Sequence, residues 1–316
     1  MSVPHVPDGL ISKIKSRDCA LFVGSGLSCA AGLPSWKQLM ARLIDRHYAN
    51  QPRSREKQAL LEMAESDRLI DLAELIKTLV RPKPFRDTLV EMIDPPDIQL
   101  TETHRTLAKI PFSAVITTNY DHLLEETYSK LHGGRYPRSY TYTNMSALAN
   151  LVAERKFFIF KAHGSIADPD TLIFSRSDYQ QLMFNSPAYR AFFSSMFISR
   201  TFLFVGYSLS DPDLAMVLEN LSSVFKGFSQ THYLLLPDPG EFERDLLERR
   251  FNIEVIPYIP STDKHPEVCV FLERIQGHLE AEKEREIEQQ RQAQVADRLA
   301  AVSELTAGVA HELNNP

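Results

Sequence analysis

The sequence predicts an α/β protein on a doubly wound parallel sheet, from three observations. Apolar runs of strand length recur at 19–23, 113–118, 157–162, 201–206, 231–236 and 252–258. Most intervals between them carry helical apolar periodicity, and that alternation sets strands side by side in parallel with helices on both faces. Three runs end in short polar or glycine-bearing strings: Val23-Gly24-Ser25-Gly26-Leu27-Ser28, Thr117-Thr118-Asn119-Tyr120-Asp121 and Lys161-Ala162-His163-Gly164. Such strings fall at the carboxyl edge of the sheet, where open α/β folds bind ligands.

Cys19 to Val23 reads as the first strand, and a helix-like stretch with Trp36, Leu39, Met40, Leu43 and Ile44 follows its glycine loop. Glycines there let the backbone approach a phosphate, and free amides at a helix start favour negative charge. The spacing Gly24, Gly26, Gly32 departs from the dinucleotide fingerprint, since Cys29 holds the third glycine position. A dehydrogenase would also need a second strand ending in an acid about 20 residues on. This region stays helical through Asp45 and Arg46, which argues against hydride transfer. From Ser35 to Ile110 a helical module is expected, with segments Lys57 to Leu79 and Lys83 to Met92, broken by Pro82, Pro84 and Pro95-Pro96.

After the second strand, Asn119 and Asp121 alternate with Tyr120, so their side chains leave the sheet in a common direction. His163 closes the third strand, and Gly164 is expected to leave room beside it. Two helices rich in Phe and Met, Asp178 to Phe184 and Ala188 to Ile198, read as core, with a ligand-pocket wall as the alternative. Asp211 and Asp213 read as acids at a helix start near Leu214.

A chain of 316 residues, 43% hydrophobic and with a net charge of −6, can bury one substantial core plus an appendage. Arg81, Lys83 and Arg86 read as a solvated face, and without a basic cluster no nucleic acid is expected as partner. No apolar run reaches bilayer length, and Met1-Ser2-Val3-Pro4-His5 begins no signal peptide. The three cysteines, Cys19, Cys29 and Cys269, fit a reducing cytoplasm and lack the paired spacing of a zinc site. A cytoplasmic protein with neither membrane attachment nor structural metal is expected.

Beyond Ile259, Phe271, Leu272, Ile275 and Leu279 keep a helical apolar face, but Glu280 to Gln294 is almost wholly charged or amide. That stretch should project as an exposed helix or linker. Val295, Leu299, Val302, Thr306, Val309 and Leu313 then recur at alternating spacings of four and three, a coiled-coil seam. A homo-oligomer is expected through this helix, aided by contacts between globular domains.

Four ordered motifs resemble the sirtuins over roughly residues 10 to 275. Gly24-Ser25-Gly26-Leu27-Ser28 with Ala31-Gly32-Leu33-Pro34 is similar to their Gly-Ala-Gly-Ile-Ser and Ala-Gly-Ile-Pro. Thr117 to Asp121 resembles Thr-Gln-Asn-Ile-Asp, His163-Gly164 the catalytic His-Gly, and Gly206-Tyr207-Ser208-Leu209 the Gly-Thr-Ser-Leu loop. The resemblance implies a Rossmann-like, sirtuin-type fold with NAD as ligand. The four-cysteine zinc ribbon of the protein deacylases has no counterpart, and Pro34-Ser35-Trp36-Lys37 replaces their Pro-Asp-Phe-Arg, which shapes the nicotinamide pocket. The pattern looks more like the bacterial sirtuin-like NAD hydrolases of antiviral defence. Leu299 to Pro316 in turn resembles the phosphoacceptor box of sensor histidine kinases, with His311 at the phosphorylated position. The sequence ends at Pro316 inside that box and carries no ATP-binding domain, so phosphorylation of His311 by this polypeptide alone is not expected.

The implied organisation is a sirtuin-like domain over 1–275 with a helical insertion at 35–110, a charged linker at 276–294, and a dimerisation and phosphoacceptor helix at 295–316. By the resemblance, Asn119 holds the nicotinamide ribose or orients the attacking water, His163 accepts a proton, and Asp121 orients the carboxamide or fixes Asn119. Gly24, Ser25, Gly26 and Ser28 then meet the pyrophosphate, while Gly206 and Ser208 meet the phosphates or the adenosine ribose. The leading expectation is an NAD hydrolase releasing nicotinamide and ADP-ribose, held until a trigger protein arrives. Two alternatives stand beside it: an NAD-sensing input domain reporting to a kinase through the 280–313 helix, and protein deacylation, whose acyl-lysine channel the sequence does not locate.

Overall fold

The computed structural model describes residues 4–66, 68–80, 82–134, 138–208 and 230–313, the side chains of 82–84 and 300–313 excepted. Leu209, Asp211, Asp213 and Leu214 lie outside the described residues. A seven-stranded, wholly parallel sheet organises the chain: β1 (Cys19–Val23), β2 (Val115–Thr117), β3 (Ser139–Tyr140), β4 (Ile159–Lys161), β5 (Thr201–Val205), β6 (His232–Pro237) and β7 (Ile253–Tyr258). Their order is β3-β4-β2-β1-β5-β6-β7. Leu21 faces Val115 on one side of β1 and Leu203 on the other. The chain moves outward from β1 to β2 and β4, then returns across β1 to β5. The winding therefore reverses at β1, and the crevice beyond its carboxyl end is where such sheets place ligands.

Side-chain alternation sorts the core into two layers. Cys19, Leu21, Val23, Val115, Ile159 and Leu203 pack beneath α1 (Asp8–Lys15), α7 (Glu102–Lys109), α8 (Leu123–Leu131) and the base of α13 (Pro266–Leu313). Ala20, Phe22, Ile116, Phe160, Phe202 and Phe204 pack beneath α9 (Met145–Ala153), α10 (Arg176–Asn185), α11 (Pro187–Ser199) and α12 (Glu241–Phe251). The Phe and Met residues of α11 are core: Phe192, Phe193, Met196 and Phe197 are all buried there. Both faces of β1 are covered, which is why its five residues read as an unbroken apolar run.

After α2 (Ser25–Ala30), whose Leu27 packs in the sheet core, the helical module comprises α3 (Trp36–His47), α4 (Arg55–Ala64), α5 (Leu69–Leu79) and α6 (Pro82–Ile93). Its own core holds Met40, Leu43, Leu72 and Leu89, and closes on Tyr120, Ile166 and Phe174. The segment expected as one helix from Lys57 to Leu79 is two. The Ser66 hydroxyl donates to the Met63 carbonyl and accepts from the Arg68 amide, satisfying the backbone locally in place of another helical turn. Helix α7, expected within the insertion, packs instead on the sheet with α1 and α13. Arg86, read as solvated, pairs with Asp170.

Helix α13 runs unbroken for 48 residues, so no joint separates the expected linker from the expected terminal helix. Phe271, Leu272 and Ile275 are buried at its base. Lys15 then reaches Glu282 at 3.3 Å and Glu286 at 2.5 Å, holding the first charged turns against α1. Farther on, Ile287, Val295 and Leu299 are exposed. The side chains of Val302, Thr306, Val309, Leu313 and His311 lie outside the described residues. No helix among the described residues is long and apolar enough to cross a membrane.

Candidate active site

The loops after β1 and β5 interlock at the winding reversal. The Gly24 amide donates to the Val205 carbonyl at 2.9 Å, and the Gly26 amide to the Gly206 carbonyl at 2.8 Å. A Cβ on Gly24 would stand 2.6 Å from the Gly206 oxygen and 2.8 Å from the Tyr207 ring, so only glycine fits. Tyr207 completes the seam, donating to the Val23 carbonyl at 3.3 Å with its hydroxyl also 3.3 Å from the Thr118 hydroxyl.

Two hollows flank this seam. The larger, about 260 Å³, lies between Ser25, Gly26, Gly206, Tyr207 and Ser208 on one side and Tyr258, Asp263, Lys264 and His265 on the other. The smaller, about 50 Å³, is lined by Ser25, Ser28, Pro34, Trp36, Thr118, Asn119, Tyr120 and Asp121. Ser25 borders both.

Asn119 and Asp121 converge as their alternation predicts, and they converge on Ser28. The Ser28 hydroxyl donates to Asp121 Oδ2 at 2.7 Å and accepts from Asn119 Nδ2 at 2.9 Å. Asn119 Nδ2 also donates to the Gly24 carbonyl at 3.0 Å, leaving the Asn119 side-chain oxygen without a protein partner among the described residues. Asp121 Oδ1 accepts the Leu123 amide at 3.0 Å, which ties the carboxylate to the start of α8. Ser28, expected on a pyrophosphate, borders the smaller hollow and is buried, with its hydroxyl bonded to Asp121. Gly24, expected there too, packs its backbone against the β5 loop.

His163 follows β4, buried, with its ring edge-on to Tyr179 at 6.1 Å. It borders neither hollow. The room expected beside it at Gly164 is filled: φ is +87°, and a Cβ would come within 2.1 Å of the Thr171 carbonyl oxygen. The Asn119 and His163 loops are stitched together where the Ile166 amide reaches the Tyr120 carbonyl at 3.2 Å.

Residue-by-residue reading missed several contributors. Lys161 lies fully buried beneath the Asn119 loop with Glu125 beside it at 3.1 Å. Burial alone would raise the Glu125 carboxyl, but Lys161, with His122 Nδ1 3.8 Å away, holds it down at about 2. A lysine closing an otherwise apolar buried strand is the signal that was available, because such a cation requires a buried carboxylate. His104 is another: its Nδ1 lies 2.8 Å from the Thr101 hydroxyl, its Nε2 is buried without a partner among the described residues, and burial lowers its pKa to about 4 despite Asp121 nearby. Around the larger hollow, the Tyr258 hydroxyl meets His265 Nδ1 at 2.9 Å. Among the described residues no cluster of His, Cys, Asp or Glu is placed to hold a metal ion, and no disulfide joins the three cysteines.

Comparison with known proteins adds an independent finding. Residues 113–256 match the SIR2-like domain. The chain is 26% identical over 287 residues to the NAD(+) hydrolase ThsA of Bacillus cereus (strain MSX-D12), covering 84% of this chain and 56% of that protein. It is 27% identical over 259 residues to the NAD(+) hydrolase ThsA of Acinetobacter baumannii (strain 532279), covering 78% and 50%. Over 234 residues it is 24% identical to the Defense-associated sirtuin 2 of Bacillus subtilis, covering 72% and 21%. The chain spans about half the length of the ThsA proteins. Asn119, Asp121, His163, Gly206 and Ser208 all follow strands of the parallel sheet within the matched span, so the segment that is similar to the SIR2-like domain, Ser113 to Ile256, contains them.

Proposed function

We propose that this chain hydrolyses NAD, breaking the nicotinamide–ribose bond to give nicotinamide and ADP-ribose in a bacterial defence setting. The observation that carries the reading is the Asn119 side chain, fixed by Gly24 and Ser28 on the wall of the smaller hollow, with no partner for its carbonyl oxygen among the described residues. In this reading the nicotinamide ribose enters the smaller hollow, the diphosphate passes Ser25, and the adenosine half occupies the larger one. The carbon–nitrogen bond breaks with its electron pair leaving on nicotinamide, which departs neutral, and the developing oxocarbenium carbon takes the oxygen of water. Asn119 orients that water or the ribose, and His163 takes up the released proton. Asp121 acts on Asn119 through Ser28. NAD is a substrate here, and no zinc is required. The similarity to proteins named NAD(+) hydrolase and Defense-associated sirtuin supports the same reading.

A second reading, an NAD-sensing input domain, is favoured by one feature: Val268, in the first turn of α13, borders the larger hollow. Self-association through the 295–313 seam and phosphorylation at His311 belong to that proposal. The deciding experiment incubates purified chain with NAD, with and without an acylated peptide, and quantifies nicotinamide and ADP-ribose. Release from NAD alone, abolished in Asn119→Ala and His163→Ala, is expected. Release only with the peptide, alongside its deacylation, would overturn the hydrolase reading, and saturable NAD binding without release would leave the sensing one.

A further inference from the structure

Lys161 Nζ donates to the Tyr120 carbonyl at 3.0 Å, to the Asp121 carbonyl, and to Glu125 Oε1 at 3.1 Å. An ammonium has three donors, and all three are used. Lys161 is 0% exposed and Glu125 5% exposed, so the charge pair is removed from water. A buried pair of this kind is weak evidence for stability, because desolvation consumes much of the attraction, and apolar residues of similar volume often serve the fold as well. They could not, however, bond two adjacent main-chain carbonyls. Those carbonyls belong to the residues directly after Asn119, in the loop that presents both Asn119 and Asp121 to the smaller hollow.

We infer that Lys161 is a positioning residue: its ammonium clamps the Tyr120 and Asp121 carbonyls and so fixes the Asn119 carboxamide at the reacting ribose, with Glu125 supplying the countercharge. The inference rests on the NAD-hydrolysis reading. It separates two properties that a structural lysine would join. The larger hollow is built by the start of α2, the β5 loop and residues 258–265, none of which the Lys161 ammonium bonds, so substrate affinity should survive its loss while turnover does not.

The test compares Lys161→Met with the double variant Lys161→Met/Glu125→Leu. The single variant leaves a buried carboxylate unpaired and loses stability, whereas the double variant removes both charges and recovers it. With the clamp gone, kcat in the double variant falls by about 10²-fold while KM for NAD stays within about threefold of the unmodified chain, as expected when a reacting group is misplaced by an ångström or so. Recovery of kcat together with stability would overturn the inference. Amide hydrogen exchange is read on the same proteins: protection at 119–123 falls in the double variant with the rest of the sheet unchanged. Should the unmodified chain release no nicotinamide, the hydrolysis reading fails, and exchange decides the clamp by itself, since unchanged protection at 119–123 overturns it.

Discussion

Replacing Ser28 by alanine removes the one hydroxyl that both fixes Asn119 and satisfies Asp121. The buried Asp121 Oδ2 loses a bond of 2.7 Å, and Asn119 Nδ2 keeps the Gly24 carbonyl but loses its second acceptor. A hydrogen bond to a charged group contributes about 1.5–3 kcal/mol and a neutral one about 1 kcal/mol, so the combined loss is about 3 kcal/mol. In a chain of this size each kcal/mol moves Tm by about 2 °C, which places the Ser28→Ala transition about 6 °C lower by calorimetry. Turnover should fall further than stability implies, by about 10²-fold in kcat, because a freed carboxamide no longer holds the ribose or water in line. Assays at saturating NAD and well below KM separate the effects. A raised KM with kcat intact would refute the reasoning and return Ser28 to the pyrophosphate contact its motif suggests. An unchanged Tm would show that the network carries no strength.

Acid should destabilise the fold in two steps. His104 and His232 are buried and titrate at about 4 against an ordinary 6.5, so as pH falls from about 6.5 to 4 the unfolded chain takes up protons that the folded chain cannot, costing roughly 3 kcal/mol per histidine. Glu125, lowered from 4.5 to about 2, contributes stability that is present above about 4.5 and lost toward 2. A Tm that stays flat from pH 7 to 4 contradicts the first step. Gly164→Ala should cost more than about 3 kcal/mol, since it adds a backbone clash to a positive φ, whereas Gly133→Ala at φ +67° in open space should cost only about 1 kcal/mol; equal losses in chemical denaturation would contradict the account. Among the described residues, cutting the chain after Gln290 removes no buried side chain of α13, so it should leave Tm within about 2 °C, yet lower the oligomeric order in light scattering if the seam beyond it pairs. Identical molar masses on dilution would remove the seam from assembly.

What the sequence made legible was local or periodic. The five residues of β1 read as a buried parallel strand because both faces are covered, and the strings after β1, β2 and β4 fell at the sheet's carboxyl edge because strand direction places them there. Strand β3 escaped notice because two residues carry no pattern, and the break near Ser66 because its cause is a side-chain bond that leaves the apolar period intact. At the candidate site, the alternation of Asn119 and Asp121 was legible, but not what holds them. Ser28 lies 93 residues from Asp121 and Glu125 lies 36 from Lys161, separations at which pairing depends on the register of neighbouring strands. His163 was found as a strand-end residue, whereas its packing against Tyr179 comes from α10, an element the motif does not contain.

The contact between the Gly26 amide and the Gly206 carbonyl bears on how tightly a diphosphate can be held. An amide at the start of α2 that already has an acceptor offers an incoming phosphate an exchange of partners, and an exchange between hydrogen-bonded states yields only about 0.5–1.5 kcal/mol net. Since tenfold in affinity corresponds to about 1.4 kcal/mol, this donor raises affinity by no more than about one order of magnitude, and only after the β5 loop withdraws its carbonyl. On the NAD-hydrolysis reading, a change that loosens the Gly206 carbonyl would tighten diphosphate binding by exchanging this one hydrogen bond for one to the phosphate, a gain of at most about tenfold.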